Sequence, residues 1–414
     1  IFELNRDQNH MRLVQYDALT GNVVRTVLEE KHDKYVEPMH PLAFLPWDDT
    51  KAVMQSQRDG YNHLYLLDLE KDELKQITTG KWVVQQFVGF NTMARRLIFR
   101  SNEADPRKSC LYSVKVSGGK RTPLGAQEGV CYQAQLSKSG AAVISAYTAP
   151  DVPRIINLLS TTTGKGSNIL TAKDTWKENG YCIPTFKSGS IKAADGITDL
   201  YYRMVLPADF DEKKKYPTIV YVYGGPHAHL VDASWHWSSR GWETYMAQKG
   251  YIVFILDGRG SEWRGRDFEQ ATFRQLGTVE CQDQYKGVEY LMSLPYVDKD
   301  RMGVHGWSFG GFMTTNLMLT FPDVFKVGVA GGPVIDWNYY EVMYGERYMD
   351  TPEQNPEGYK NSNLRLRAGN LKGRLQLIIG YNDPVCVPQH TLSFIRACID
   401  AGTQCDYFLY PGGE

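Results

Sequence analysis

The 414-residue sequence contains no apolar run near the ~20 residues that a membrane-spanning helix requires, so we expect no span in it. It also lacks an excess of either charge, since 46 Lys and Arg side chains balance 47 Asp and Glu to a formal net charge of −1. This balance argues against nucleic acid or an anionic membrane as the main partner. The seven cysteines form no C-x-x-C pair and fit no zinc module, so we expect mostly free thiols, with room for one or two disulfides, and no metal.

An initiator methionine and a signal peptide are absent as well. Residues 1–6 read like the interior of a folded domain. We therefore expect a fragment of a longer protein, and at this length more than one domain.

Four short segments in the first part of the sequence resemble one another. They cover residues 13–17, 64–68, 111–115 and 156–160, and their starts are 51, 47 and 45 residues apart. Turn-rich patches follow them. A period of this length with several short strands per unit is typical of a β-propeller. We predict that residues 1–170 form about four blades, with more blades upstream; an all-β sandwich with coincidental spacing is the alternative.

From about Thr185 onward the pattern changes to continuous apolar strands. Residues 218–223 and 251–256 are apolar throughout, as strands are when both faces of a sheet are covered, and a further buried strand covers residues 375–379. The helix candidates cover residues 242–249, 279–294, 312–319 and 388–401. Alternating strands and helices predict a doubly wound, mostly parallel α/β sheet, which we assign to residues 171–414.

One short motif indicates chemistry. Residues 306–311 read Gly-Trp-Ser-Phe-Gly-Gly, the G-x-S-x-G pattern of a serine nucleophile on a tight turn between a strand and a helix. The flanking residues suit that strand and that helix. The glycines are a physical requirement, because the strained backbone at Ser308 leaves no room for neighbouring Cβ atoms. The motif in this context predicts Ser308 as a nucleophile on an α/β-hydrolase sheet.

A serine nucleophile needs a base, and the base needs a carboxylate that fixes its tautomer. Asp383 directly follows the strand at residues 375–379 and is our candidate carboxylate; the alternative is a surface residue of an Asn-Asp-Pro turn. The only histidine after Asp383 is His390, which we interpret as a surface residue of the helix that starts near Pro388. We find no good base in the sequence.

The tetrahedral intermediate of acyl transfer needs hydrogen-bond donors at its oxyanion. The backbone N–H of Phe309, next after the nucleophile, is the first candidate. The hydroxyl of Tyr223, at the end of the strand at 218–223, is the second. The alternative is that Tyr223 is only an aromatic residue at the end of the strand, with no role in catalysis.

These residues resemble the prolyl oligopeptidase family of serine peptidases, in its dipeptidyl peptidase IV branch, over essentially the whole chain. The first part of the chain resembles the later blades of that family's eight-bladed propeller. The hydrolase part carries the most specific motifs, which are residues 222–226 (Val-Tyr-Gly-Gly-Pro), 257–261 (Asp-Gly-Arg-Gly-Ser), 276–278 (Leu-Gly-Thr), 306–311 and 344–349 (Tyr-Gly-Glu-Arg-Tyr-Met).

The resemblance implies Ser308 as nucleophile, Asp383 as triad acid and Tyr223 as second oxyanion donor. It also implies a proline-sized pocket for the residue before the scissile bond. An aromatic slot suits a flat pyrrolidine ring, although the same residues could equally form an aromatic core cluster. The implied walls of the pocket are Phe309, Val334, Trp337, Tyr340 and Tyr344.

Within the branch, Phe309 and Val385 depart from the Tyr and Asn that dipeptidyl peptidases usually have at these positions. The chain looks closer to bacterial prolyl tripeptidyl peptidases, so we favour release of tripeptides over dipeptides. The resemblance places the triad histidine at position 415, one past Glu414. We therefore expect the chain as written to be inactive.

The resemblance implies a proline-containing peptide as substrate, no cofactor and a homodimer when full length. It also implies a bacterial protein of the periplasm or one secreted to the cell surface. A non-catalytic relative that serves as a binding module, or a lipase or esterase on the same fold, are the alternatives.

Overall fold

A computed structural model describes residues 1–413. These residues form two compact units. The first consists of residues 1–181 with two later segments, 232–238 and 263–268, and the second consists of the rest. None of the helices within residues 1–413 combines the length and the apolar character that crossing a membrane demands.

The first unit contains four antiparallel sheets that follow one another along the chain, one three-stranded and three four-stranded. The first sheet is β1 (Phe2–Leu4), β2 (His10–Tyr16) and β3 (Val23–Lys31). The second is β4 (Ala43–Leu45), β5 (Asp48–Ser56), β6 (His63–Asp68) and β7 (Glu73–Gln76). The third is β8 (Val84–Asn91), β9 (Arg96–Ser101), β10 (Cys110–Lys115) and β11 (Thr122–Pro123). The fourth is β12 (Val130–Leu136), β13 (Ala142–Ala149), β14 (Val152–Ser160) and β15 (Gly166–Thr171), and the short helix α1 (Thr175–Glu178) follows.

The four similar sequence segments fall on corresponding strands of these sheets. Residues 64–68, 111–115 and 156–160 lie in β6, β10 and β14, each of which is the third strand of a four-stranded sheet. Residues 13–17 overlap β2. The repeat seen in the sequence is therefore a structural repeat.

Buried apolar clusters join successive sheets. Leu64 of the second sheet packs in one cluster with Phe99 of the third, and Leu111 of the third packs in another with Val143 of the fourth. Sheets that follow the chain and pack face to face are the blades of a propeller. The prediction of propeller blades is confirmed.

The second unit is built on one eight-stranded sheet. Its strands are β16 (Thr185–Lys192), β17 (Asp199–Leu206), β18 (Tyr216–Tyr221), β19 (Ile252–Asp257), β20 (Val297–Trp307), β21 (Val327–Gly331), β22 (Arg374–Gly380) and β23 (Asp406–Tyr410). They lie in the order β16-β17-β19-β18-β20-β21-β22-β23. The six strands β18 to β23 pair in parallel, whereas β16 and β17 are antiparallel additions at one edge.

Helices alternate with the parallel strands. Within the sheet unit, α2 (Gly241–Gln248) packs on β17 and β19, while α4 (Val279–Ser293) and α5 (Phe309–Thr320) pack on β20. Every residue of β19 is buried, as expected for a strand covered on both faces. The predicted doubly wound, mostly parallel α/β-hydrolase fold is confirmed. The other helices within residues 1–413 are α3 (Arg266–Glu269), α6 (Val342–Met349), α7 (Pro356–Ser362) and α8 (Gln389–Asp400). Short 3₁₀ segments lie at Trp235–Ser238, Gln270–Thr272, Trp337–Tyr339 and Leu364–Asn370.

The helix predicted over residues 312–319 begins three residues earlier, at Phe309. The sequence pattern underestimated it because Gly310 and Gly311 are poor helix formers. The close packing of this turn on the sheet outweighs the low helix propensity. Only glycine fits there, because a Cβ on Gly311 would lie 2.4 Å from the carbonyl oxygen of Gly331. The two glycines let the first turn of α5 approach the sheet.

A buried ion pair lies between β17 and α2. The Arg203 guanidinium donates from Nη2 and Nε to Glu243 Oε1 and Oε2 at 2.7 and 3.0 Å. The two side chains are 2% and 0% exposed. Arg240 Nε also donates to Glu243, at 2.8 Å. A buried guanidinium is tolerated only while its carboxylate remains in place.

Replacing Glu243 by Gln should therefore lower the free energy of unfolding by about 3–5 kcal/mol, because the buried Arg203 guanidinium loses the carboxylate that binds it. Chemical denaturation followed by tryptophan fluorescence measures the change. Asp400→Asn is the control, since it removes the partner of Arg396 in an exposed pair on α8 and should cost about 0.5 kcal/mol or less. Equal effects of the two substitutions would contradict the role given to the buried pair.

Candidate active site

The predicted site residues lie on loops at the carboxyl ends of four strands. Tyr223 follows β18, Ser308 follows β20, Val334 follows β21 and Asp383 follows β22. These four strands are adjacent and parallel. The carboxyl ends of adjacent parallel strands meet at one edge of a sheet, so the topology brings these loops together.

Ser308 occupies a strained turn. Its φ of 58° and ψ of −118° are conformations that a residue with a side chain rarely adopts. A Cβ on Gly306 or on Gly310 would lie 2.3 Å from the carbonyl oxygen of Val222, so glycine is needed on both sides. The Ser308 N–H donates to the carbonyl of Gly331 at 2.8 Å. The turn has the geometry of a nucleophile elbow.

Asp383 is half-buried in the loop after β22. Its Oδ1 accepts the backbone N–H groups of Val385 and Cys386 at 2.9 and 2.8 Å. Its Oδ2 lies near Gly332 and has no hydrogen bond within residues 1–413. The loop thus uses one carboxylate oxygen for its own turn and leaves the other for a base.

The Cys386 side chain adjoins both the nucleophile and the acid. Its Sγ lies 3.9 Å from Ser308 Oγ, and its N–H is one of the two donors to Asp383. Burial, and then the charge of Asp383, raise the pKa of the thiol to about 12, while a hydrogen bond with Ser308 opposes the shift. A thiol that stays protonated at neutral pH is a poor nucleophile, which favours Ser308 over Cys386 as the candidate nucleophile.

Two donors near Ser308 fit the oxyanion role. Phe309 is the first residue of α5, so its N–H has no acceptor within the helix. The Tyr223 ring lies 6.1 Å from that of Phe309, the residue next to Ser308. Burial raises the pKa of Tyr223, and its interaction with Ser308 offsets this only in part. The phenol therefore remains protonated, as a donor must.

The predicted pocket residues form one aromatic cluster beside Ser308. The Trp337 ring lies 5.6 Å from Phe309 and 5.2 Å from Tyr340, and it stacks on Tyr344 with 10° between the planes. Val334 is buried in the loop that leads to Trp337. Because Tyr340 and Tyr344 are only partly buried, the cluster has an open side, unlike a closed core. Two rings that the sequence analysis did not single out extend it, those of Phe312 and Tyr348.

The interpretation of His390 as a surface residue is wrong. It lies in the first turn of α8, as predicted, but its exposure is 0%. Its Nδ1 accepts the backbone N–H groups of Ile335 and Asp336. Within residues 1–413 the hydrogen bonds of Ser308 and Asp383 involve no histidine.

Comparison with known proteins gives the family. The profile of the dipeptidyl peptidase IV N-terminal region matches residues 1–154, and that of the prolyl oligopeptidase family matches residues 237–414. The chain belongs to the prolyl oligopeptidase family. The blades and the hydrolase sheet described above are the two parts that these profiles represent.

Individual relatives of this prolyl oligopeptidase family chain place it in the dipeptidyl peptidase IV branch. A structure from Bacteroides ovatus, named as a candidate dipeptidyl aminopeptidase IV, is 53% identical with a TM-score of 0.94 over 99% of this chain and 60% of its own. Dipeptidyl peptidase 4 of Porphyromonas gingivalis is 30% identical with a TM-score of 0.90 over 99% and 57%. A probable dipeptidyl-aminopeptidase B of Arthroderma gypseum is 32% identical over 87% and 41%. The chain thus spans less than two thirds of each of these relatives.

Sequence reasoning missed Cys386 and the burial of His390. A usable signal existed for His390, because His390, Phe394 and Cys398 recur every four residues and form the buried face of α8. No comparable signal marks Cys386, whose position depends on how the Asp383 turn folds back toward Ser308.

Replacing Gly310 by Ala should destabilise the protein by at least about 1–3 kcal/mol, because its Cβ would overlap the carbonyl of Val222 and force the first turn of α5 away from the sheet. Denaturant titration measures the loss, and labelling of the full-length protein by a small fluorophosphonate reports the state of Ser308. Gly241→Ala is the matched control at the start of α2, where no atom lies within 4 Å of the added Cβ. A Gly310 variant as stable and as readily labelled as the Gly241 variant would contradict the packing argument.

Proposed function

We propose that the full-length protein is a serine exopeptidase that hydrolyses the peptide bond after proline near the N-terminus of short peptides. One observation carries the proposal: the Ser308 elbow lies beside an aromatic cluster with partly exposed rings and at the same edge of the sheet as Asp383. A slot of apolar rings buries a pyrrolidine ring without demanding hydrogen bonds from it. A lipase or esterase would not need such a slot.

The residues divide the chemistry as follows. Ser308 Oγ attacks the carbonyl carbon of the proline residue, and its proton passes to a histidine base held by Asp383 Oδ2. The Tyr223 hydroxyl and the Phe309 N–H donate to the oxyanion. The amine departs with a proton from the base, and water then hydrolyses the acyl-enzyme. Because no described histidine reaches Ser308, we propose that residues 1–414 alone do not turn over peptide.

The length of the released peptide is the finer question. The names of the relatives support dipeptides. Phe309 and Val385 differ from the residues usual in dipeptidyl peptidases, and on this ground we propose release of tripeptides. We also propose a homodimer in the bacterial periplasm or at the cell surface, supported by the family resemblance alone.

Replacing Tyr223 by Phe in the full-length protein should lower kcat roughly 100- to 1,000-fold with little change in KM, because one oxyanion donor is lost while the ring remains. Steady-state kinetics on a prolyl p-nitroanilide measure both constants. Tyr202→Phe is a matched control, since it removes a hydroxyl that bonds to Tyr290 and belongs to a ring that packs on Phe254 and Tyr290 rather than on a predicted site residue. A rise confined to KM would show that Tyr223 binds substrate rather than the oxyanion.

Gly-Pro and Ala-Ala-Pro p-nitroanilides distinguish the two release lengths on the full-length protein. Our tripeptide preference requires kcat/KM to be higher for Ala-Ala-Pro, and the reverse order would assign the protein to dipeptide release. Ser308→Ala should abolish either activity, because it removes the nucleophile. Failure on both reporters by folded wild-type protein would refute the peptidase proposal and favour a binding module.

A further inference from the structure

The buried His390 makes contacts that the proposed reaction does not use. Its Nδ1 lies 3.0 Å from the backbone nitrogen of Ile335 and 3.4 Å from that of Asp336. An imidazole nitrogen that accepts N–H groups must carry a lone pair, so the proton of the neutral ring sits on Nε2. His390 therefore acts as a fixed acceptor for two successive backbone amides.

Those two amides belong to the loop that carries the pocket walls. Residues 332–336 connect β21 to the 3₁₀ turn at Trp337–Tyr339, and Val334 and Trp337 lie directly before and after the pair that His390 holds. Both walls are buried, at 1% and 2% exposure. A shift of these amides would therefore move both walls of the slot.

Further contacts of this loop come from the loop itself and from residues 363–365. Asp336 Oδ1 accepts the Asn338 N–H at 3.0 Å, and Oδ2 accepts Asn363 Nδ2 at 2.8 Å as well as the Arg365 guanidinium. The Ile335 carbonyl accepts the Leu364 N–H at 3.0 Å. Of these contacts, only those of His390 tie the loop to α8, which begins six residues after Asp383.

The surroundings keep the ring neutral. Burial lowers the pKa of His390 to about 4, the carboxylates of Asp336 and Asp383 oppose this shift, and Arg365 adds to it. The folded-state pKa is thus depressed, so the acceptor is fully present above the ordinary histidine pKa and is lost as the pH falls toward 4. At neutral pH the two hydrogen bonds are intact.

We propose that His390 is a positioning residue for proline selectivity: it fixes the Ile335 and Asp336 amides on α8 and thereby sets the spacing of Val334 and Trp337 in the slot. The proposal deepens the proposed function and rests on it. His390 touches neither the substrate nor the reacting atoms and acts only through the loop.

Three variants of the full-length protein test the proposal. His390→Leu introduces an apolar side chain of similar size and leaves two buried N–H groups without an acceptor. His390→Asn can place an amide oxygen near the position of Nδ1 and should restore the contact. Gln389→Leu alters an exposed neighbour on the same turn of α8 and is the control.

The first readout is selectivity near pH 8. We expect His390→Leu to lower the ratio of kcat/KM for Gly-Pro over Gly-Ala p-nitroanilide at least 10-fold, mainly through a higher KM for the proline reporter. His390→Asn should remain within about 3-fold of wild type, a spread that corresponds to less than a kcal/mol. If the enzyme prefers tripeptides, Ala-Ala-Pro and Ala-Ala-Ala reporters replace this pair. The rate at which a small fluorophosphonate labels Ser308 should stay unchanged, because that reagent does not need the slot.

The second readout needs no activity. Hydrogen exchange of a peptide covering residues 333–339 should accelerate at least 10-fold in His390→Leu and not in His390→Asn or Gln389→Leu, while peptides from β22 keep their wild-type rates.

Unchanged exchange, or an equal loss for proline and alanine reporters, overturns the proposal. Faster exchange throughout the second unit would show a general loss of stability and also overturns it. If wild type cleaves no prolyl reporter, the proposed function fails and proline selectivity fails with it, whereas the exchange data still decide whether His390 holds the loop.

Discussion

The close packing of the first turn of α5 on the sheet is the constraint on which the site depends. With no side chain between them, Gly310 meets the end of β18 and Gly311 meets the end of β21. The turn that carries Ser308 is thereby fixed against the strand that leads to Tyr223 and the strand that leads to the pocket loop. The distances from the nucleophile to the oxyanion donor and to the slot are set by backbone contact, which side-chain motion cannot relax.

The polar groups around Ser308 are kept in their neutral forms. Burial is the largest cause of the raised pKa values of Tyr223 and Cys386 and of the lowered pKa of His390. The charge of Asp383 acts on two of these groups, Cys386 and His390. Neutral donors in a region with little water hold their orientation before negative charge appears on the substrate, which is the arrangement that stabilises an oxyanion most effectively.

The sequence predicted the architecture better than the side-chain environments. The propeller repeat, the buried strands and the turn at Ser308 all follow from local periodicity and from residue types with few alternatives, so each could be read from a short window. The burial of His390 and the approach of Cys386 to Ser308 depend on how α8 and the Asp383 loop pack against other elements, which a linear pattern records only weakly. The early start of α5 had the same origin, because a contact with Gly331 outweighed the helix propensity of two glycines.

The two backbone donors that bind Asp383 Oδ1 also dictate what its other oxygen can be. An amide at this position would turn its carbonyl oxygen toward the N–H groups of Val385 and Cys386, since its NH₂ group would meet them donor against donor. The NH₂ would then occupy the place of Oδ2, where the carboxylate offers a lone pair to the base. The backbone thus decides whether an incoming imidazole meets an acceptor or a donor. Replacing Asp383 by Asn would hardly change the shape of the side chain, yet it would select the opposite tautomer of the histidine.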